Sequence, residues 1–197
     1  MSRKQPWLII VGVLVFLAGP SQATSLKGTL TIRGKHATGA IISLESAAPM
    51  FPSPTPVRVT MDQKNLAFVP EVLPVVRGTI VEFTNSDNVL HNVFSPSAIA
   101  DEFDLGSYSQ GQKRSVALHE VGEVLILCNI HMEMEARILV FKDPYFAVVD
   151  QHGGFQISDI PSGVYVVKIW RNHFLKDTRS VTIPADGEAT LLLEVEE

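Results

Sequence analysis

One short run, Cys128-Asn129-Ile130-His131-Met132-Glu133-Met134, carries a thiol, an imidazole and two thioethers. Upstream, the segment Phe83 to Val93 contains His91, followed directly by Asn92. One thiolate, two imidazoles and one weak thioether are the donors that suit a copper ion moving between Cu(I) and Cu(II). Sulfur and nitrogen ligands in one plane, with a long thioether contact above it, change little between the two oxidation states. Reorganisation is then small and a single electron moves quickly. Cys128 is the only cysteine, so it forms no internal disulfide. His91, Cys128, His131 and Met134 are therefore the candidate metal ligands. Met132 is the rival thioether. Met134 is preferred because an axial ligand needs enough loop to turn back under the metal. Taken singly, a lone cysteine is often an inert buried thiol and a lone methionine a gap-filler. The joint C-x2-H-x2-M spacing, with strands on both sides, is what points to a site.

Such a site needs a scaffold that holds its ligands with or without metal. The sequence supplies strands to build one. Val57-Arg58-Val59-Thr60-Met61 and Thr79-Ile80-Val81-Glu82-Phe83-Thr84 alternate apolar and polar residues. Ser115 to Leu118, Glu123 to Leu127 and Ala136 to Phe141 continue the pattern. Leu127 ends one strand and Ala136 begins the next, so three candidate ligands share one tight loop. His91 arrives from a different strand. The stretch from Ser95 to Gln112 is polar and predicts a loop with a short helical turn. Short strands separated by turn residues predict an antiparallel sandwich with Greek-key links.

Flanking strands fall on either side. Thr29 to Arg33 and Ala40 to Leu44 read as strands, with Gly34 and Gly39 marking the turn between them. Pro49, Pro52, Pro54 and Pro56 then predict an extended linker. Beyond Asp143, Val148 to Ile157 reads as a hairpin around an Asp/Gly turn. Ser162 to Trp170 and Leu191 to Val195 read as further strands.

The N-terminus reads as a secretory leader. Arg3 and Lys4 precede an apolar stretch from Trp7 to Ala18, and Ser21-Gln22-Ala23 offers a cleavage site. The apolar stretch is short for a membrane span, which needs about 20 residues. An uncleaved N-terminal anchor is the alternative. Export predicts a periplasmic or secreted protein, in an oxidising compartment where a free thiol is a liability unless something occupies it. Hydrophobic residues make up 46% and charged residues 19% of the 197, a globular composition. The net charge of -5 and the lack of a basic stripe argue against nucleic acid.

The segments Met61 to Pro70, Gly78 to Val93 and Gly122 to Met134 resemble the cupredoxins, the blue copper proteins such as plastocyanin and amicyanin. The short ligand loop looks most like the amicyanin type. The chain is also similar to exported plastocyanin-like proteins labelled as methylamine utilisation proteins. The resemblance covers residues 57–142. It implies one type-1 copper ion, with His91, Cys128 and His131 equatorial and Met134 axial. It implies that Asn92 ties the two ligand loops together. It also implies that the edge of His131 is the exit for the electron, with Ile130, Met132 and Phe94 as apolar surroundings and Glu133 as an unusual charge there. Gly28 to Leu44 and Asp150 to Tyr165 resemble the two halves of a transthyretin-like, carboxypeptidase-regulatory domain.

The resulting expectation is all-β: a Greek-key cupredoxin sandwich plus a small transthyretin-like sandwich. Its parts are a leader over 1–23, companion strands over 24–50, an inserted copper domain over 51–142 and the remaining companion strands over 143–197. The function expected is single-electron transport between redox partner proteins, without catalysis, because a full ligand set leaves no equatorial position for substrate. The alternatives are copper storage or delivery, and a structural or carbohydrate-binding module without electron transfer. His36, His119, His152 and His173 lack ligand-like neighbours and read as surface residues.

Overall fold

The computed structural model describes residues 24–46, 57–96, 102–185 and 187–196. The leader and the proline cluster lie outside the described residues. Among the described residues every regular element is a strand. In chain order they are β1 (Thr24–Ile32), β2 (Lys35–His36), β3 (Ile41–Ser46), β4 (Arg58–Gln63), β5 (Phe68–Val69) and β6 (Val72–Val76). Then come β7 (Ile80–Asn85), β8 (His91–Ser95), β9 (Phe103–Tyr108), β10 (Lys113–Ala117), β11 (Gly122–Leu127) and β12 (Glu135–Phe141). The last are β13 (Phe146–Val148), β14 (Gly154–Ile160), β15 (Gly163–Arg171), β16 (Phe174–Ile183) and β17 (Glu188–Val195).

The middle strands form two sheets. One runs β10-β7-β4-β5 and the other β6-β12-β11-β8-β9. The chain crosses between them repeatedly, in the Greek-key manner. Alternation explains the packing: β7 reads half-buried, buried, half-buried, buried along Ile80 to Phe83, so Val81 and Phe83 share one face. That face meets Met61, Val93, Val124, Ile126 and Ile138 in one closed core. Each large apolar side chain buried this way contributes about 1.5–3 kcal/mol. Cys128 and Met134 belong to the same core.

The remaining strands form two further sheets, β14-β1-β17 with β2 on β1, and β13-β3-β15-β16. They enclose a second core of Leu26, Leu30, Ile42, Leu44, Ile157, Val167, Ile169 and Leu193, among others. Residues before position 47 thus share a core with residues after position 144. Strand β1 lies between β14, antiparallel, and β17, parallel.

Gly28 sits in the middle of β1 because nothing larger fits. A Cβ there would lie 2.1 Å from the Leu191 carbonyl oxygen and 2.5 Å from the Phe155 ring. Gly28→Ala should therefore destabilise this second block by about 3 kcal/mol. Denaturant unfolding read from Trp170, with a Trp7→Phe background, measures the loss; an unchanged midpoint would show that the sheet tolerates the methyl group.

Three expectations fail. The middle sheets are mixed and not antiparallel throughout, since β4 pairs with β7 and β6 with β12 in parallel. The stretch expected to loop from Ser95 to Gln112 contains strand β9, paired with β8. Phe103 and Leu105 pack on the core and Tyr108 is buried in it, while Asp104 and Gly106 give the same segment the look of a turn. Val148 to Ile157 is not a hairpin. Strand β13 pairs with β3 and β14 pairs with β1, in different sheets. The turn at Asp150 is real, closed by the Gly153 amide on the Asp150 carbonyl at 3.1 Å. It carries the chain from one layer to the other instead of folding it back. Strand β16 adds an edge not read from the sequence.

Candidate metal centre

Three of the four predicted ligands converge. One donor atom from each of His91, Cys128 and His131 lies within 4.8 Å of the others. Among the described residues no other group of histidine, cysteine and carboxylate side chains clusters in this way. His91 opens β8 and is fully buried. Cys128 follows β11 and is buried and free. His131 is half-buried on the loop before β12. Met134 is buried in the core that contains Cys128, whereas Met132 is 83% exposed. Exposure separates the two thioethers: only Met134 lies inside the sandwich with the thiol.

The two imidazoles meet edge to face, with centroids 4.8 Å apart. Their Nδ1 atoms face each other at 3.0 Å. Two nitrogens bound to one metal at about 2.0–2.1 Å stand roughly 3 Å apart, so this spacing suits a shared ion. The thiol, two imidazoles and a buried thioether fit copper by their chemistry.

The tautomer of His91 is set from behind. Its Nε2 lies 2.9 Å from Oδ2 of Asp87. A carboxylate can only accept, so Nε2 carries the proton and Nδ1 presents a lone pair toward His131. Asp87 is itself fixed. Its carboxylate accepts the Asn65 amide at 2.7 Å and the Leu66 amide at 2.9 Å. Its own amide donates to Asn85 Oδ1 at 2.9 Å. Asn65 and Leu66 both adopt left-handed backbone, φ 57° and 58°, which points two successive amides at one anion. Burial of Asp87 works to raise its pKa, but the bonds from Leu66, His91 and Asn65 outweigh it and hold the carboxyl below its ordinary value. Sequence reading missed Asp87. Its signal was a carboxylate four residues before a candidate ligand histidine, hidden in the turn-like run Asn85-Ser86-Asp87-Asn88.

The loops are tied as well. Asn92 Oδ1 accepts the Asn129 amide at 2.6 Å, joining the residue after His91 to the residue after Cys128. The Met134 amide donates to the His131 carbonyl at 3.0 Å and closes the ligand loop. Asn92→Ala should leave the Asn129 amide without this partner, at about 1–3 kcal/mol, and lower the melting temperature of the metal-free protein. Ultraviolet circular dichroism on heating checks this; an unchanged melt would mean the loop holds itself.

Beneath the histidines, Tyr108 pairs with His91 across β8 and β9. Its hydroxyl donates to the Phe83 carbonyl at 3.3 Å and accepts from Gln63 Nε2 at 2.6 Å. Burial pushes its phenol above the usual range. Tyr108 and Gln63 are both buried. Val89 and Leu90, which precede His91, and Ile130 and Met132, which flank His131, are exposed. Glu133 is exposed among them, and Phe94 is half-buried beside Leu127. The other histidines lie elsewhere. His36, His119 and His152 are exposed, and His173 meets Glu123 at 3.1 Å.

No family model matches the chain, and no curated protein matches it. Solved structures are similar to part of it. A copper-containing nitrite reductase from Thermus scotoductus SA-01 aligns over 51% of this chain and 25% of its own, at 24% identity and a TM-score of 0.41. The chain thus spans about a quarter of that reductase. A variant of amicyanin in its Cu(I) form aligns over 43% of this chain and 82% of its own, at 20% identity and a TM-score of 0.41. A purple cupredoxin from Nitrosopumilus maritimus aligns over 42% and 98%, at 20% identity and a TM-score of 0.38.

Proposed function

We propose that this protein binds one type-1 copper ion and carries single electrons between redox partner proteins. The observation that supports this reading is the convergence of His91, Cys128 and His131 at the end of a dry β-sandwich. Bound copper would supply the one-electron Cu(I)/Cu(II) couple. The chain's own residues do the rest. His91, Cys128, His131 and Met134 would hold the ion. Asp87 and Asn92 fix the ligands before metal arrives, so little has to move when charge changes. His131 is the only half-buried member of the three, which makes its edge the exit for the electron. The apolar rim of Leu90, Ile130 and Met132 is the docking surface for the donor and the acceptor. With four side chains as ligands a bound ion would have no position left for substrate, so the reading is of a carrier and not an enzyme.

The same reading places the protein in the periplasm or outside the cell, delivered by the leader over residues 1–23. It takes the block from β4 to β12 as a copper domain of the cupredoxin kind, inserted into a transthyretin-like companion. Support for the insertion comes from the pairing of β1 with β14 and β17, and of β3 with β13 and β15.

Protein-film voltammetry of the copper-loaded full chain tests the electron-carrier reading. A reversible one-electron wave, with copper retained against a Cu(I) chelator, is the expected result. Rapid loss of Cu(I) to the chelator would favour storage or delivery instead. No wave and no bound copper would leave a structural or carbohydrate-binding module.

A further inference from the structure

Two hairpin tips of the companion strands border one groove of about 580 Å³. The tip between β1 and β2 brings Arg33 and Lys35, and the tip between β15 and β16 brings Arg171 and Lys176. No carboxylate lines the groove. The chain carries a net charge of -5, so four cations around one hollow run against its overall balance. His36 also lines it. The acid in whose field His36 lies, Asp150, is outside the lining, and its carboxylate accepts the His152 and Gly154 amides. Elsewhere the cations are paired: Lys27, Lys113, Arg137, Lys168 and Arg179 each meet a carboxylate. Among the described residues, Lys35 and Arg171 form no such pair.

The backbone holds these charges in place. Each tip is a two-residue turn with both central residues left-handed. Arg33 and Gly34 have φ of 51° and 69°, and Asn172 and His173 have 46° and 62°. Glycine and asparagine suit such turns, and arginine does not. Arg33 is thus held against its local preference, an outlier of the kind found at binding positions.

Gathered like charges repel one another, and a bound anion removes that repulsion. A guanidinium offers a planar fork that fits phosphate and carboxylate oxygens two at a time. The volume lies within the range of small-molecule sites. We propose that this groove binds a small polyvalent oxyanion, with acidic groups shared between Arg33 and Lys35 on one tip and Arg171 and Lys176 on the other. Binding there needs no copper. Phosphate and carboxylate groups offer the same oxygens, so both are probed.

Calorimetric titration of the metal-free full chain at low salt, with pyrophosphate and with citrate, tests the assignment. Orthophosphate and acetate are the single-group matches. At least one of the two polyvalent anions should bind at one site, tenfold or more tightly than its match, and the stronger of the two names the acidic group. Arg33→Gly, which suits its turn, and Arg171→Gln should each weaken that binding at least tenfold while the protein still melts cooperatively. Lys113→Gln, which removes an equal charge from β10 in the other block, should leave it unchanged. The proposal is overturned if neither polyvalent anion binds, if binding survives in both tip variants, or if Lys113→Gln weakens it as much as they do.

Discussion

On addition of Cu(II), the full chain should develop an intense visible absorption band, and Cys128→Ala should show none. The band arises when a thiolate transfers charge to Cu(II), so it reports the one bond that no other residue here can make: the chain has a single cysteine. His91→Ala and His131→Ala would change such a band; only loss of the sulfur removes its cause. The substitution is small for the fold. Cys128 is one member of a large core, and losing its sulfur should cost the metal-free protein about 1 kcal/mol. Absorption spectroscopy of both proteins at equal copper loading decides the matter. A band that persists in Cys128→Ala would place the copper elsewhere.

The second large effect falls on a residue that never touches the metal. Asp87→Asn should weaken Cu(II) binding by roughly 10–100-fold, the usual cost of removing a carboxylate behind a ligand imidazole. The asparagine amide can donate to His91 Nε2, which turns Nε2 into an acceptor and places the proton on Nδ1, the atom that faces His131. The lone pair then points away from the metal. Asp87→Ala should also weaken binding, but less selectively, because the Asn65 and Leu66 amides lose their acceptor too. Competition with a coloured Cu(II) chelator measures both. Equal affinity in wild type and Asp87→Asn would show that the tautomer is set by something else. The pH dependence has a definite sign. The carboxyl of Asp87 is lowered in the folded protein, so its stabilisation is fully present above the ordinary carboxylate pKa, and it is lost as pH falls through the lowered value. The melting temperature of the metal-free wild type should therefore fall on acidification below the carboxylate range, and fall less steeply in Asp87→Asn.

The cluster of His91, Cys128 and His131 was legible in the sequence because chemistry limits which residue types go together and a tight loop fixes the spacing of two of them. A thiol, an imidazole and a thioether on one short turn have few other uses together. The sandwich was legible because alternation in β4, β7, β11 and β12 records which face is wet. Asp87 was not, because an aspartate in a polar turn is the commonest of residues there; only the fold reveals that its carboxylate is turned toward His91. Strand β9 was hidden by Gly106 and Asp104, whose local preference for turns yields to the burial of Phe103, Leu105 and Tyr108. The change of sheet at Asp150 was illegible for a deeper reason. The turn chemistry of Asp150 to Gly154 is local, while the choice of partner strand is made by β1, more than a hundred residues earlier.

That distant pairing governs the order of events on a chain made from its N-terminus. Ser25 sits opposite Glu188, so the first described strand lacks its parallel neighbour until residue 188 has been made. Strands β4 to β12 meet no such delay, since each finds its neighbours within their own stretch. They can collapse first and draw the ends of the chain together. The loop that β1 and β17 must then close is far shorter than the sequence suggests, and its entropic cost falls accordingly. Removing β17 would strip β1 of its parallel neighbour and leave it as an open edge.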